Sequence, residues 1–240
     1  MQKKTVLSTL LIFLSLVFIT NTSFATPTLK EITQKLQEQT DKIQTLQADI
    51  QTILSTPLIN DGEPTVMESK LFKKGKDKTR TEITTPSAQI MVVNGKTIYA
   101  KDVDSGQVVK SEKTYAADQF DPNSDFLDLE RYLKDYDLTI QQKAELFQIQ
   151  GKPKQASKMI KRLTLDLDPK DFQIKNIIIY NLKDQVLFNI ALEYETIDGV
   201  SVPVHTTADM NSVLGSMKIE MVYKNVKVNQ PMDDGLFILN

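Results

Sequence analysis

The chain contains no cysteine, no tryptophan and a single histidine. Without cysteine there is no disulfide, no thiolate nucleophile and no thioether attachment point for a lipid, so stability must come from an apolar core. With one histidine, His-rich zinc sites and Cys/His catalysis are excluded. A Ser-His-Asp triad would have to use His205, but that residue sits in an alternating stretch beside Pro203 with no nucleophile-elbow pattern, which is the signature of an ordinary strand histidine. Aromatic residues make up only 7% of the chain, poor material for a sugar-stacking cleft. Neither sign of charge dominates: 29 basic residues face 31 acidic ones, a balance unlike that of a nucleic-acid binder. "DPNSDFLDLE" is acidic but has no glycine and no twelfth-position glutamate at the places a calcium loop requires, so it reads as capping and solvation. No cofactor is expected.

Only one long apolar run is present. Lys3 and Lys4 precede "VLSTLLIFLSLVFIT", and Ser23 and Ala25 provide a small-x-small cleavage pattern. Residues 1–25 therefore read as a signal peptide, with 26–240 as a single exported domain of periplasmic location. The run is short of the roughly 20 apolar residues that span a bilayer comfortably. Its removal takes away two lysines and no acid, leaving a more negative chain.

After Ala25 the pattern changes twice. Leu29, Ile32, Leu36, Ile43 and Leu46 recur at steps of three, four and seven, predicting one amphipathic helix over 28–46, with Glu31 in its first turn. From Leu46 the period becomes two, in "LQADIQTIL", and twelve further short alternating stretches follow. Between them stand Lys74-Gly75, Asn94-Gly95, Ser105-Gly106 and Asp198-Gly199, which are turn signals. Asn94-Gly95 is the strongest, and a type I′ hairpin is expected there. A second short helix is expected over 124–136, where Phe126, Leu129, Leu133 and Tyr136 share a face. The fold class is mainly β with α (α+β): one antiparallel β domain carrying two helices.

"LFKKGKDKTRTEI" places Lys73, Lys74, Lys76, Lys78 and Arg80 within eight positions. A solvated turn explains the lysines. Arg80 lies beyond the turn on a strand, where its guanidinium can meet a backbone carbonyl, a carboxylate or a lipid polar group.

The order of these features resembles the outer-membrane lipoprotein carrier (LolA-like) family and its lipoprotein-sorting relatives. The resemblance rests on a leading helix ending in "LQADIQ", then on Lys73, Lys74, Asp77 and Arg80 around the second strand, with Gly75 where the family has proline. It rests further on the hairpin "NGKTIY" at 94–99 and on Pro231 to Phe237 at the close. It implies a curved antiparallel sheet or incomplete β-barrel whose concave apolar face is covered by helices. The implied role is that of a non-catalytic, monomeric carrier or chaperone of acylated lipoprotein or lipid cargo. Such a carrier would work between an inner-membrane lipoprotein-releasing transporter and an outer-membrane acceptor, with no nucleic acid involved. On that footing the lipid-binding cavity is expected between the first helix and the sheet, lined by Leu29, Ile32, Leu36, Ile43, Arg80, Ile83, Ile90 and Val92. A closed core built from the same residues is the competing expectation. A sensor or protein-binding module of the same fold is the alternative role, and a hydrolase using a carboxylate pair is a third.

Overall fold

The computed structural model describes residues 27–58, 60–112, 135–143, 145–212 and 215–239. The signal segment and its cleavage point lie outside these residues. So does all but the last two residues of the 124–136 segment, and Tyr136 itself opens a strand.

Helix α1, Leu29–Asp41, is held at its start by a reciprocal cap. The Glu31 N–H donates to Thr28 Oγ1 and the Thr28 N–H donates to the Glu31 carboxylate, at 3.2 and 2.7 Å. The Thr28 backbone N–H, followed by the Thr28 hydroxyl, donates to the Glu31 carboxylate and holds its pKa below the usual value. The helix stops five residues short of the predicted end. From Gln44 onward the backbone is captured by the sheet: the Gln44 carbonyl accepts from the Gly75 N–H, and its own N–H donates to Asn229 Oδ1. Ile43 thus lies in the connection and Leu46 in the first strand.

Six strands come first: β1 (Thr45–Ser55), β2 (Thr65–Lys74), β3 (Lys78–Thr85), β4 (Gln89–Asn94), β5 (Thr97–Asp102) and β6 (Val108–Glu112). Seven follow: β7 (Tyr136–Lys143), β8 (Leu146–Pro153), β9 (Ile160–Leu167), β10 (Ile174–Asn181), β11 (Val186–Ile197), β12 (Val200–Ser212) and β13 (Gly215–Val228). All thirteen form one open, curved antiparallel sheet in the order β6-β5-β4-β3-β2-β1-β13-β12-β11-β10-β9-β8-β7. β6 and β7 follow each other in sequence but occupy opposite margins, so the sheet does not close. The β1–β13 pair joins its two halves.

The hairpin at Asp198-Gly199 has positive φ at both loop residues, 50° and 77°, as a type I′ turn requires. The expected I′ turn at Asn94-Gly95 is built differently. Asn94 pairs with Thr97 as a strand residue, and only Gly95, at the first loop position, has positive φ, the type II′ pattern.

Alternation gives the sheet two faces. The face met by α1 is termed the helix face. Its main core gathers Phe147 and Ile149 of β8, Leu163, Leu165 and Leu167 of β9, Ile177 and Ile179 of β10, and Ile190 and Leu192 of β11. Ile32 and Leu36 of α1 pack into that cluster.

Candidate functional site

The predicted lipid-binding residues do not assemble into one site. Leu29, Ile32 and Leu36 lie over β8–β12, and Ile32 is 0% exposed among Ile and Leu side chains that are equally closed off. Under the helix the apolar residues form a packed core. Ile43 joins a separate cluster with Leu46, Leu71, Val200, Val202 and Val228 at the junction of the two halves.

The four strand residues belong to the other half of the sheet and divide between its faces. Register pairs connect Phe72, Arg80, Val92, Tyr99 and Lys110 in one cross-strand row, and Lys70, Glu82, Ile90 and Lys101 in the next. Both rows lie on the face opposite the helix. Only Ile83 projects from the helix face, paired with Ser69 and Gln89. Arg80, Ile90 and Val92 are therefore not lid-facing residues.

What these residues touch explains the basic cluster. The C-terminal segment, ending in a 3-10 turn at Asp234–Phe237, crosses the outer face of β2–β4. Lys74 Nζ donates to the Met232 carbonyl at 2.8 Å and lies 3.1 Å from the Asp234 carboxylate. Lys78 Nζ donates to the same carboxylate at 2.8 Å. Arg80 Nη1 donates to the Leu236 carbonyl at 3.1 Å while its Nε holds Glu82 at 2.6 Å, and Asn94 Nδ2 donates to the Phe237 carbonyl at 3.3 Å. Hydrogen bonds donated by Lys78 and Lys74 lower the pKa of Asp234, and the bond Lys78 donates to that carboxylate raises its own pKa. Phe237 is 1% exposed and Val92 0%. The two motifs at 73–80 and 231–237 thus form one latch, binding the chain's own end through carbonyl and carboxylate oxygens. Lys76 reaches Asp41 instead, at 3.3 Å, tying the β2–β3 turn to the end of α1.

The helix face of β1–β6 remains. Register pairs run Ala48, Leu71, Thr81, Met91, Ala100 and Val109 across six strands. Beside this row run Lys73, Thr79, Val93 and Ile98 on one side and Ile50, Ser69 and Ile83 on the other, with the Thr52–Met67 pair beyond. Met67, Ile83, Met91, Val93 and Ile98 are only partly buried, Val109 is 56% exposed, and none belongs to the three buried clusters. This is an aliphatic and thioether surface, interrupted by small hydroxyls and partly open to water. It can take up a flexible apolar chain, and methionine adapts to such a guest better than branched side chains do.

Met91, Val93, Met67 and Ile98 escaped the sequence reading because "QIMVVN" is apolar on both faces. The deciding signal was available in the next strand. In "TIYAKD" Lys101 marks the outer face, and the hairpin register pairs Lys101 with Ile90 and Tyr99 with Val92. That leaves Ile98 and Ala100, with Val93 and Met91, on the inner face.

Both ring nitrogens of His205 face carboxylates, Nε2 at 3.1 Å from Glu220 and Nδ1 at 3.4 Å from Glu193. Among the described residues no group of three or more His, Asp or Glu is placed to hold a metal ion.

An open, curved antiparallel sheet of thirteen strands with one helix against it is a LolA-like architecture. The family model described as outer membrane lipoprotein carrier protein LolA matches residues 71–193, and the chain belongs to that family. No curated protein matches the chain. Among solved structures it is similar to a DUF1329 family protein from Desulfovibrio piger, with a TM-score of 0.68 at 14% identity, covering 89% of this chain and 98% of that one. A LolA superfamily protein from Nitrosomonas europaea superposes with a TM-score of 0.63 at 14% identity, over 89% and 99% of the two chains. A putative outer membrane lipoprotein-sorting protein domain from Vibrio parahaemolyticus gives 0.63 at 12% identity, over 86% and 94%. At such identities the likeness is one of fold.

Proposed function

We propose that this protein is an exported, periplasmic, non-catalytic carrier that shields the acyl chains of lipoproteins or other lipids during transfer toward the outer membrane. The observation that carries this reading is the apolar helix face of β2–β5, which runs from Leu71, at the edge of the central clusters, to Met91, Val93 and Ile98, which lie outside every buried cluster. Acyl chains in water cost about 0.8 kcal/mol per methylene, so even partial cover of a dozen methylenes offsets several kcal/mol. Release requires that the site accept water when empty. Thr79, Thr81 and Ser69 among the apolar residues lower the penalty of that wet state. An inner-membrane transporter would load the carrier and an outer-membrane acceptor would unload it, with residues 26–240 as the mature domain.

The test is binding of a fluorescent fatty-acyl probe by the purified mature chain. The wild type should bind it, and Met91→Asp should lower the affinity at least about tenfold while leaving the fold intact. Absence of wild-type binding would remove the carrier role and leave a protein-binding module on the same surface.

A further inference from the structure

A second site lies at the end of the sheet where the apolar surface stops. Thr56, Pro57 and Gly62 after β1, the end of β12 and the starts of β13 and β11 line an open cleft of about 710 Å³. Asn189, Asp209, Lys218 and Ser55 line it and form a single cross-strand row over four strands; Met210 and Met217, also in the lining, pair with each other on the helix face. Asn189 stands between Phe188 and Ile190, which both pack into the main core, so this row belongs to the outer face.

Three features of the row are unsatisfied. Asp209 and Lys218 are directly opposed neighbours of opposite charge, yet among the described residues they form no ion pair. Asn189 Oδ1 is buried without a hydrogen-bond partner. Asn189 lines the cleft and among the described residues no hydrogen bond fixes its amide, so a turn about its broad χ2 torsion can carry the oxygen toward the cleft without breaking a hydrogen bond. An unpaired acid, an unpaired base and an acceptor lacking a donor, set in one line, are complementary to a dipolar group. That group must offer N–H donors at one end and anionic oxygens at the other.

We propose that this cleft binds a zwitterion of the phosphoethanolamine type, its primary ammonium held by Asp209 and the Asn189 oxygen and its phosphate by Lys218. The assignment stands on these residues and not on acyl transport. Met210 and Met217 bring the cleft round the end of the sheet to the helix face. The same chemistry could therefore come from a lipid head group or from free phosphoethanolamine.

Titration calorimetry on the purified mature chain separates these possibilities, with free phosphoethanolamine, free phosphocholine and the dihexanoyl phosphatidyl derivatives of both as probes. A trimethylammonium group has no N–H to give, so the ethanolamine forms should bind about tenfold or more tightly than the choline forms. Asn189→Leu and Asp209→Asn should each erase that preference. Asn189→Leu should keep the wild-type melting temperature, because it removes a buried acceptor that has no partner. If the dihexanoyl ethanolamine lipid outbinds the free compound, the ligand is a head group. Equal binding of the two assigns the site to the free compound and leaves the cleft standing even if the acyl site fails. Equal affinity for ethanolamine and choline forms, or a preference that survives both cleft substitutions, would overturn the proposal.

Discussion

The two halves of the sheet use the same alternation for different ends. In β8–β11 the helix face carries Leu163, Leu165, Leu167, Ile177 and Ile190, bulky aliphatic residues sealed by Ile32 and Leu36 of α1. In β2–β5 it carries Met67, Leu71, Ser69, Thr81, Met91 and Ala100, which are smaller, softer or hydroxylated, and they stay partly exposed or outside any cluster around the helix. The outer faces are reversed. Over β2–β4 the outer face is covered by the latched C-terminus, whereas that of β7–β9 is a polar ladder in which Gln141 donates to Gln148 and Gln148 to Asp166. The described residues thus cover the two halves from opposite faces. Alternation states that a strand has an apolar side; what covers that side decides between core and binding surface.

Equivalent insults to the two halves should then have unequal effects. Ile32→Asp places a carboxylate in a closed aliphatic cluster and should cost several kcal/mol, enough to unfold the domain, as urea titration would show. Phe237→Ala empties the buried anchor of the latch and should cost about 3 kcal/mol, with early exposure of the 230–239 segment to carboxypeptidase. Met91→Asp, on the uncovered half, should cost only about 1 kcal/mol or less while lowering acyl uptake. If Met91→Asp and Ile32→Asp destabilise alike, the contrast between the halves is wrong.

The smallest effect is expected from pH. Asp234 has a depressed pKa in the folded protein, so its contribution is present above the ordinary carboxylate range and is lost as pH falls through the folded value. Lys78 has a raised pKa, so its contribution is present below the ordinary lysine range and is lost as pH climbs through the folded value. The latch should therefore hold across the neutral range and loosen at both extremes. Hydrogen-exchange protection at Leu236 and Phe237 is the readout, and Asp234→Asn should flatten the acid limb. Because these side chains are exposed, added salt should weaken the effect further.

Much of this architecture was legible before any coordinates. The thirteen alternating stretches, the turns at Gly75, Gly95, Gly106 and Gly199, and the amphipathic character of 29–41 all follow from local periodicity and turn chemistry. The helix end was not, because Ile43 and Leu46 continue the helical spacing while long-range bonds from Gly75 and Asn229 pull the backbone into the sheet. The candidate site was half legible. Ile83 lies on the helix face as expected, but the parity of "QIMVVN" was misread, and with it the faces of Ile90 and Val92. The partner of Arg80 lies 156 residues away in sequence, beyond the reach of any local pattern.

The central claim is that guest acyl chains lie on β2–β5 and not beneath α1. Photolabelling of the mature chain with a diazirine-bearing palmitate, followed by peptide mass mapping, tests it directly. The account predicts labels on the peptides holding Met67, Met91 and Ile98, reduced by Met91→Asp. Labels concentrated on α1 and the β9–β10 peptides, around Ile32, Leu163 and Ile177, would contradict it.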